Sequence, residues 1–189
     1  MWIKDEEFIR GNIPMTKFEV RAVTLSYLDI STGDVLLDLG AGTGSISVQS
    51  ALLGAKVIAV DREKEAVRLI EENARKFNVT IEIFEGEAVQ AVGRFNFNKC
   101  FIGGSGGNIG AILEAVHDRL PPGGVVGANF IKPENAWKFH ERLKKLNYEV
   151  DSCMVSVVRM DERGIFKALT PVIIVRAKKG GLGWAYFTV

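Results

Sequence analysis

Asp34-Val35-Leu36-Leu37-Asp38-Leu39-Gly40-Ala41-Gly42-Thr43-Gly44 is the stretch on which the reading of this chain turns. A short apolar run reaches a carboxylate, Asp38. Three glycines follow at alternate positions, and Ser45-Ile46-Ser47-Val48 can then open a helix. An apolar strand that runs into a glycine turn and a helix is the layout of a nucleotide-type binding site. Glycine adopts backbone angles closed to other residues and lets a ligand approach the main chain.

The spacing narrows the ligand. A dinucleotide fingerprint, G-x-G-x-x-G, aims a helix N-terminus at a pyrophosphate. Here the third glycine, Gly44, arrives too early, and Asp38, two positions before Gly40, repels a pyrophosphate. The order acid-x-G-x-G-x-G resembles motif I of the class I S-adenosylmethionine (SAM) methyltransferases. SAM has no phosphate, and its sulfonium and amino-acid end suit an acidic strand end. The resemblance assigns Asp38, Gly40, Ala41, Gly42, Thr43 and Gly44 to the cofactor cradle. The alternative reading of these residues alone is a glycine-rich turn without a ligand.

On either side of this stretch strand and helix signals alternate, as in a mostly parallel sheet. Strands are expected at Val35 to Leu39, Lys56 to Asp61, Thr80 to Phe84, Lys99 to Ile102 and Val125 to Phe130. Helices are expected from Gly44 to Leu53, over 63–77, from Ile109 to Leu120 and over 134–147. In the second, Ala66, Ile70, Ala74 and Phe77 share one face. Val150 to Arg159 and Ala168 to Ala177 read as a closing pair of long strands. Glu19 to Leu28 is helix-compatible and belongs to an N-terminal cap. The expected organisation is one domain, 1–189, made of a cap segment (1–30), a SAM-binding βα core (34–148) and a closing β-hairpin (149–189).

The 189 residues suffice to bury a core, and 47% of them are hydrophobic, an ordinary share for an α/β protein. A net charge of +1 sets up no field that draws the chain to nucleic acid or acidic membrane, and no apolar stretch has membrane-spanning length. The N-terminal residues are unlike a signal peptide. Cys100 and Cys153 lie far apart without metal-ligand spacing, which fits a reducing cytoplasm and no metal site. His117 and His140 are lone histidines on helices, read as surface or core groups rather than catalysts.

Three further positions agree with a SAM cradle. Asp61 ends the second strand about 20 residues past the glycine turn, where an acid can accept both ribose hydroxyls; it can equally act as a helix N-cap before Glu63. Glu85-Gly86-Glu87-Ala88 follows the third strand, where the Glu87 side chain or the Ala88 backbone can hold adenine, the alternative being an acidic surface turn. Gly103-Gly104-Ser105-Gly106-Gly107-Asn108 follows the fourth strand and faces the methyl group and the acceptor. The Asn/Asp-Pro-Pro-aromatic tetrad of amino-directed nucleic-acid methyltransferases is absent from it.

Asp5-Glu6-Glu7-Phe8-Ile9-Arg10-Gly11, Pro14-Met15-Thr16-Lys17 and Glu19-Val20-Arg21, with the loop Gly103 to Gly107 and the turn Arg163-Gly164-Ile165-Phe166, resemble the decarboxylating cobalt-precorrin C(15)-methyltransferases of cobalamin biosynthesis. The resemblance covers essentially the whole chain. It implies a Rossmann-like doubly wound sheet of seven strands, the last antiparallel. It also implies methyl transfer from SAM to carbon 15 of a cobalt-precorrin, taken as cobalt-precorrin-7, with loss of carbon dioxide from the carbon-12 acetate.

Thr16 and Gly103 are carried over as SAM contacts. Ser105, Arg21 and Arg163 are the substrate-side candidates. Arg10, Lys17, Arg159 and Lys167 are further cations for the acceptor's carboxylates, and Phe166 is a ring for its flat face. A tetrameric assembly is implied in the same way. The competing readings are a class I methyltransferase of RNA or protein and a non-enzymatic SAM-binding assembly protein.

Overall fold

The computed structural model describes residues 1–104 and 107–180. In chain order the elements are α1 (Phe18–Leu28), β1 (Val35–Leu39), α2 (Ser45–Leu52), β2 (Lys56–Asp61), α3 (Lys64–Lys76), β3 (Glu82–Glu85), α4 (Ala88–Arg94) and β4 (Lys99–Ile102). They continue with α5 (Ile109–Arg119), β5 (Val125–Phe130), α6 (Pro133–Lys145), β6 (Tyr148–Val155), β7 (Val158–Met160), β8 (Phe166–Ala168) and β9 (Val172–Lys179). A 3-10 turn spans Asp5–Glu7.

Seven strands form one sheet in the order β3-β2-β1-β4-β5-β9-β6. β1 is central and apolar on both faces, with Leu36, Leu37 and Leu39 fully buried, as a parallel strand covered by helices must be. β1 to β5 are mutually parallel, and β9 runs antiparallel between β5 and β6. This is the inverted last strand that the resemblance implied. The chain steps from β1 outward through β2 to β3, then returns to the other side of β1 as β4. Such a reversal opens a crevice beyond the carboxyl ends of the strands. The register Leu39↔Val60, Leu39↔Ile102 and Val60↔Phe84 brings the loops after all four strands to one level.

Alternate residues of the strands feed opposite faces. Leu37, Ile58, Cys100 and Val126 pack with Leu113, Val116, Phe139 and Leu143 of α5 and α6. Leu36, Val57, Phe101 and Val125 pack with Leu25, Leu28 and Ile46 of α1 and α2. A smaller cluster of Ile3, Phe8 and Val48 fastens the N-terminal segment to the core, with Met15 and Phe77 beside it.

Two expectations are corrected. The closing pair of long strands is four strands, because the chain breaks at Ser156-Val157 and at Leu169-Thr170-Pro171. Pro171 has no N–H to give a ladder, so pairing stops there. Between the breaks β7 and β8 form their own two-stranded ribbon around a turn at Gly164, φ +77°. The second correction is α4, a seven-residue helix that the sequence reading passed over. It is too short to show a helical period and carries Gly93.

Candidate active site

A cleft of about 340 Å³ lies beyond the carboxyl ends of β1 to β4. Six of the expected residues line it: Gly40, Gly42, Asp61, Glu87, Ala88 and Gly103. Ile13 and Pro14 of the cap segment form part of its wall, and Asn108 and Ile112 at the start of α5 another part.

The glycine turn owes its sequence to close crossings. Gly40 has φ +71°, and a Cβ there would sit 2.6 Å from the Gly104 nitrogen, so the loops after β1 and β4 touch backbone to backbone. The Gly103 amide donates to the Leu39 carbonyl at 2.8 Å, locking that crossing. A Cβ on Gly42 (φ +58°) would meet Ile13 at 3.3 Å, so the space above this glycine belongs to the cap segment. Gly44 lets the turn pack on Ile70 of α3. The Ala41 amide donates to the Val60 carbonyl at 3.0 Å. Ala41, Thr43, Gly44 and Asp38 therefore build the wall from behind rather than line it.

Asp38 is fully buried. Its Oδ2 accepts the Ser47 hydroxyl at 2.5 Å, and among the described residues Oδ1 has no partner. Burial pushes its carboxyl up to about 7; Asp61 nearby adds to the rise, and the Ser47 bond opposes it. Asp61 accepts the Gly42 amide at 2.9 Å through Oδ2 and the Glu63 amide at 3.1 Å through Oδ1. Glu63 is itself the N-cap of α3, so Asp61 closes a turn ahead of the helix and is not its cap. Glu87 is exposed, with Oε1 3.5 Å from Nη1 of Arg62. Ala88 opens α4, so its N–H is one of the first-turn amides without a helical partner.

Other expected residues sit elsewhere. Thr16 does not line the cleft; its carbonyl accepts Nη1 of Arg21 at 3.0 Å. Ser105 lies outside the described residues. Arg21 was expected to face the acceptor, yet it is completely buried, bonded to Asp5 and to the Ile3 and Thr16 carbonyls, with its guanidinium over the Phe8 ring. A helical arginine looks the same in sequence whether it serves a ligand or a distant acid. Arg163 is exposed in the β7–β8 turn and pairs with Asp161 at 3.2 Å. Arg10, Lys17, Arg159, Lys167 and Phe166 do not line this cleft either. His117 contacts the Tyr148 hydroxyl and His140 the Ser152 hydroxyl, both away from the cleft.

Two features were missed. Asn73 of α3 is fully buried, exchanges hydrogen bonds with the Ile9 backbone at 2.8 Å, and donates to the Thr43 carbonyl at 3.0 Å. One carboxamide thus pins the cap segment to the glycine turn. A polar residue between Leu69, Ile70 and Ala74 on the apolar stripe was its only signal. The second is an adjoining cleft of about 430 Å³ between α5 and α6, which shares Gly103 and Gly104 with the first. Lys138 and Arg142 are on its rim; in sequence they look like the solvated face of an amphipathic helix.

The charges lining the first cleft are three carboxylates, Asp61, Glu63 and Glu87, against one cation, Arg62. That balance disfavours a phosphate and suits a nucleoside carrying positive charge. With the buried acid Asp38 behind the turn, the residues present fit SAM. The sheet order, the inverted β9 and the glycine turn after β1 define a class I SAM-dependent methyltransferase fold.

Comparison with known proteins narrows the class. Residues 7–178 match the family profile described as a precorrin methyltransferase domain. The cobalt-precorrin-6B C(15)-methyltransferase (decarboxylating) of Salmonella typhimurium is 35% identical over 189 residues, 94% of this chain and 96% of that protein. The crystal structure of precorrin-6Y C5,15-methyltransferase from Geobacter metallireducens superposes with a TM-score of 0.90 at 32% identity, covering 95% of this chain and 98% of that one. Precorrin 8W decarboxylase from Methanobacterium thermoautotrophicum gives 0.87 at 29% identity, covering 93% and 98%. The chain belongs to the precorrin methyltransferase family.

The Salmonella enzyme's name identifies cobalt-precorrin-6B as its acceptor, where the resemblance in sequence implied cobalt-precorrin-7. Among the described residues no helix is long and apolar enough to cross a membrane.

Proposed function

We propose that this chain transfers a methyl group from SAM to carbon 15 of cobalt-precorrin-6B and releases the carbon-12 acetate carboxyl as carbon dioxide. The observation that carries this reading is the pair of clefts joined at Gly103 and Gly104, the first lined mainly by acids and the second rimmed by cations. When bound, SAM supplies an activated methyl group on a cationic sulfur. Asp61 would accept the ribose hydroxyls, Glu87 and the Ala88 amide would hold adenine, and the Gly40–Gly44 turn backed by Asp38 would take the amino-acid end. Gly103 and Gly104 line both clefts, so bound SAM and the acceptor would meet across backbone that carries no side chains.

Alignment of the acceptor carbon with the sulfur–methyl bond is the main task, and holding such a geometry is worth ~7–11 kcal/mol. The acceptor carbon belongs to an electron-rich conjugated system, so the transfer needs no strong base. Carbon dioxide leaves its bonding electron pair to the macrocycle, and a proton completes the methyl group left on carbon 12.

Mass spectrometry of purified protein with SAM and cobalt-precorrin-6B tests both halves. A product that has gained a methyl group and lost carbon dioxide is expected. Methylation alone removes the decarboxylating half, and an unchanged substrate with SAM binding intact moves the acceptor elsewhere.

The working assembly in this reading is a homo-oligomer, a tetramer by resemblance, in the cytoplasm. Met154, Val158, Met160, Ile165 and Phe166 are half or more exposed on β6 and the β7–β8 ribbon, an apolar surface that supports self-association. Light scattering on Phe166→Glu is expected to give a smaller species than wild type.

A further inference from the structure

We infer that the cleft between α5 and α6 is the carboxylate-reading half of the acceptor site, with Arg142 and Lys138 gripping two side-chain carboxylates of the macrocycle. This rests on the acceptor being the polycarboxylate tetrapyrrole proposed above.

The cleft has the two surfaces such a ligand needs. Its floor is apolar, built from Leu113, Phe130 and Phe139, whose two rings sit 5.3 Å apart. Its rim is polar, with Asn129 and Asn135 beside the two cations. Asn135, Lys138 and Arg142 follow helical spacing on α6 and share one face. The Asn129 carboxamide is set by Thr24, its Nδ2 donating to the hydroxyl at 3.0 Å.

The cations are held in waiting. Arg142 pairs with Glu114 of α5, and Lys138 with Glu134 one turn back at 2.5 Å. All four side chains are well exposed, so these pairs are weak and exchange readily for a ligand carboxylate. The chain also makes room for the guanidinium. A Cβ on Gly110 would lie 3.1 Å from Nη1 of Arg142. Arginine then offers a carboxylate two parallel N–H donors. The acids of one cleft and the cations of the other sort the two ligands by charge.

The test uses Arg142→Gln, Lys138→Gln, the double variant and Glu114→Gln. Melting curves confirm that each is folded, as is expected for exposed side chains. Steady-state kinetics with cobalt-precorrin-6B is read together with SAM affinity. A fluorescence titration uses uroporphyrin III, a flat tetrapyrrole with eight carboxylates.

The double variant is expected to raise the acceptor KM about tenfold or more, the scale of a lost charge-assisted hydrogen bond, while SAM affinity stays within about twofold. Glu114→Gln is expected to lower that KM, because it frees Arg142. An unchanged acceptor KM in the double variant overturns the inference.

If wild type does not methylate cobalt-precorrin-6B, the titration decides. Loss of uroporphyrin binding in the double variant upholds the clamp while the proposed reaction falls. Equal binding by both proteins, or by neither, overturns the clamp.

Discussion

Arg159 of β7 holds Glu19 of α1 with two nitrogens, Nε at 2.9 Å and Nη2 at 2.5 Å, across 140 residues of sequence. The same Nη2 reaches Asp5 at 3.0 Å, and Asp5 meets Arg21 from its other oxygen at 3.5 Å. The ribbon, the cap helix and the N-terminal segment therefore share one cluster of two arginines and two acids. The Arg159 bond holds the Glu19 carboxyl below its usual range, while burial draws the Arg21 guanidinium down.

Arg21→Leu is expected to cost ~2–4 kcal/mol, because it leaves the Ile3 and Thr16 carbonyls without their donor, while Asp5 keeps Arg159. Arg159→Gln is expected to cost about 1 kcal/mol, since its side chain is 41% exposed and solvent screens it. The Glu19 part is present above pH 4.5, the ordinary value, and is lost as pH falls. Urea denaturation at pH 7 and pH 4 measures all three effects. Equal losses from the two arginines would show that the cluster is not organised around Arg21.

Asp38 makes the protein less stable as pH rises. Its folded pKa of about 7 stands above the ordinary 3.8, so its contribution is full below pH 3.8 and is lost as pH climbs through 7. Melting temperatures of wild type and Asp38→Asn are expected to diverge over that window, with wild type losing ground. A cationic ligand nearby favours the carboxylate, so SAM binding near pH 6 is expected to release a proton. Calorimetry in buffers of different ionisation enthalpy detects it; a buffer-independent heat refutes the coupling.

Gly40→Ala is expected to abolish SAM binding, since its Cβ strikes the Gly104 backbone at a positive φ. Gly93→Ala is the opposite case. It is helical with nothing within 4 Å, and is expected to stabilise the fold by ~0.5–1 kcal/mol. Melting curves and SAM calorimetry on both variants separate the two kinds of glycine.

Asp61→Ala is expected to weaken SAM binding by ~1–3 kcal/mol, through lost ribose contacts and a loosened Gly42 amide. Asp61→Asn keeps one acceptor and is expected to fall between. Unchanged calorimetric affinity in folded Asp61→Ala would remove this residue from the cradle.

The cofactor side of the site was readable because its signals are local. Glycines at 40, 42 and 44 and acids at strand ends mark turns whatever lies beyond them. The acceptor side was not, because its chemistry comes from pairings between distant elements. Arg21 and Arg142 are both arginines on helices. Only the fold turns one inward to Asp5 and sets the other over Gly110 at the mouth of a cleft. The closing strands failed for a related reason. Alternation runs on through Ser156 and Leu169, and only the sheet partner, with Pro171, shows where a ladder ends.

The position of β9 sets a problem for the growing chain. β6 is made before β9, with the whole β7–β8 ribbon between them, and α6 delivers it parallel to β5. A strand–helix–strand unit of that kind ordinarily docks its second strand beside the first. Here that slot, from Val125↔Lys178 to Phe130↔Ile173, is reserved for a strand not yet synthesised. The sheet is therefore closed by its last strand: β6 has no strand partner until β9 fills the slot between it and β5.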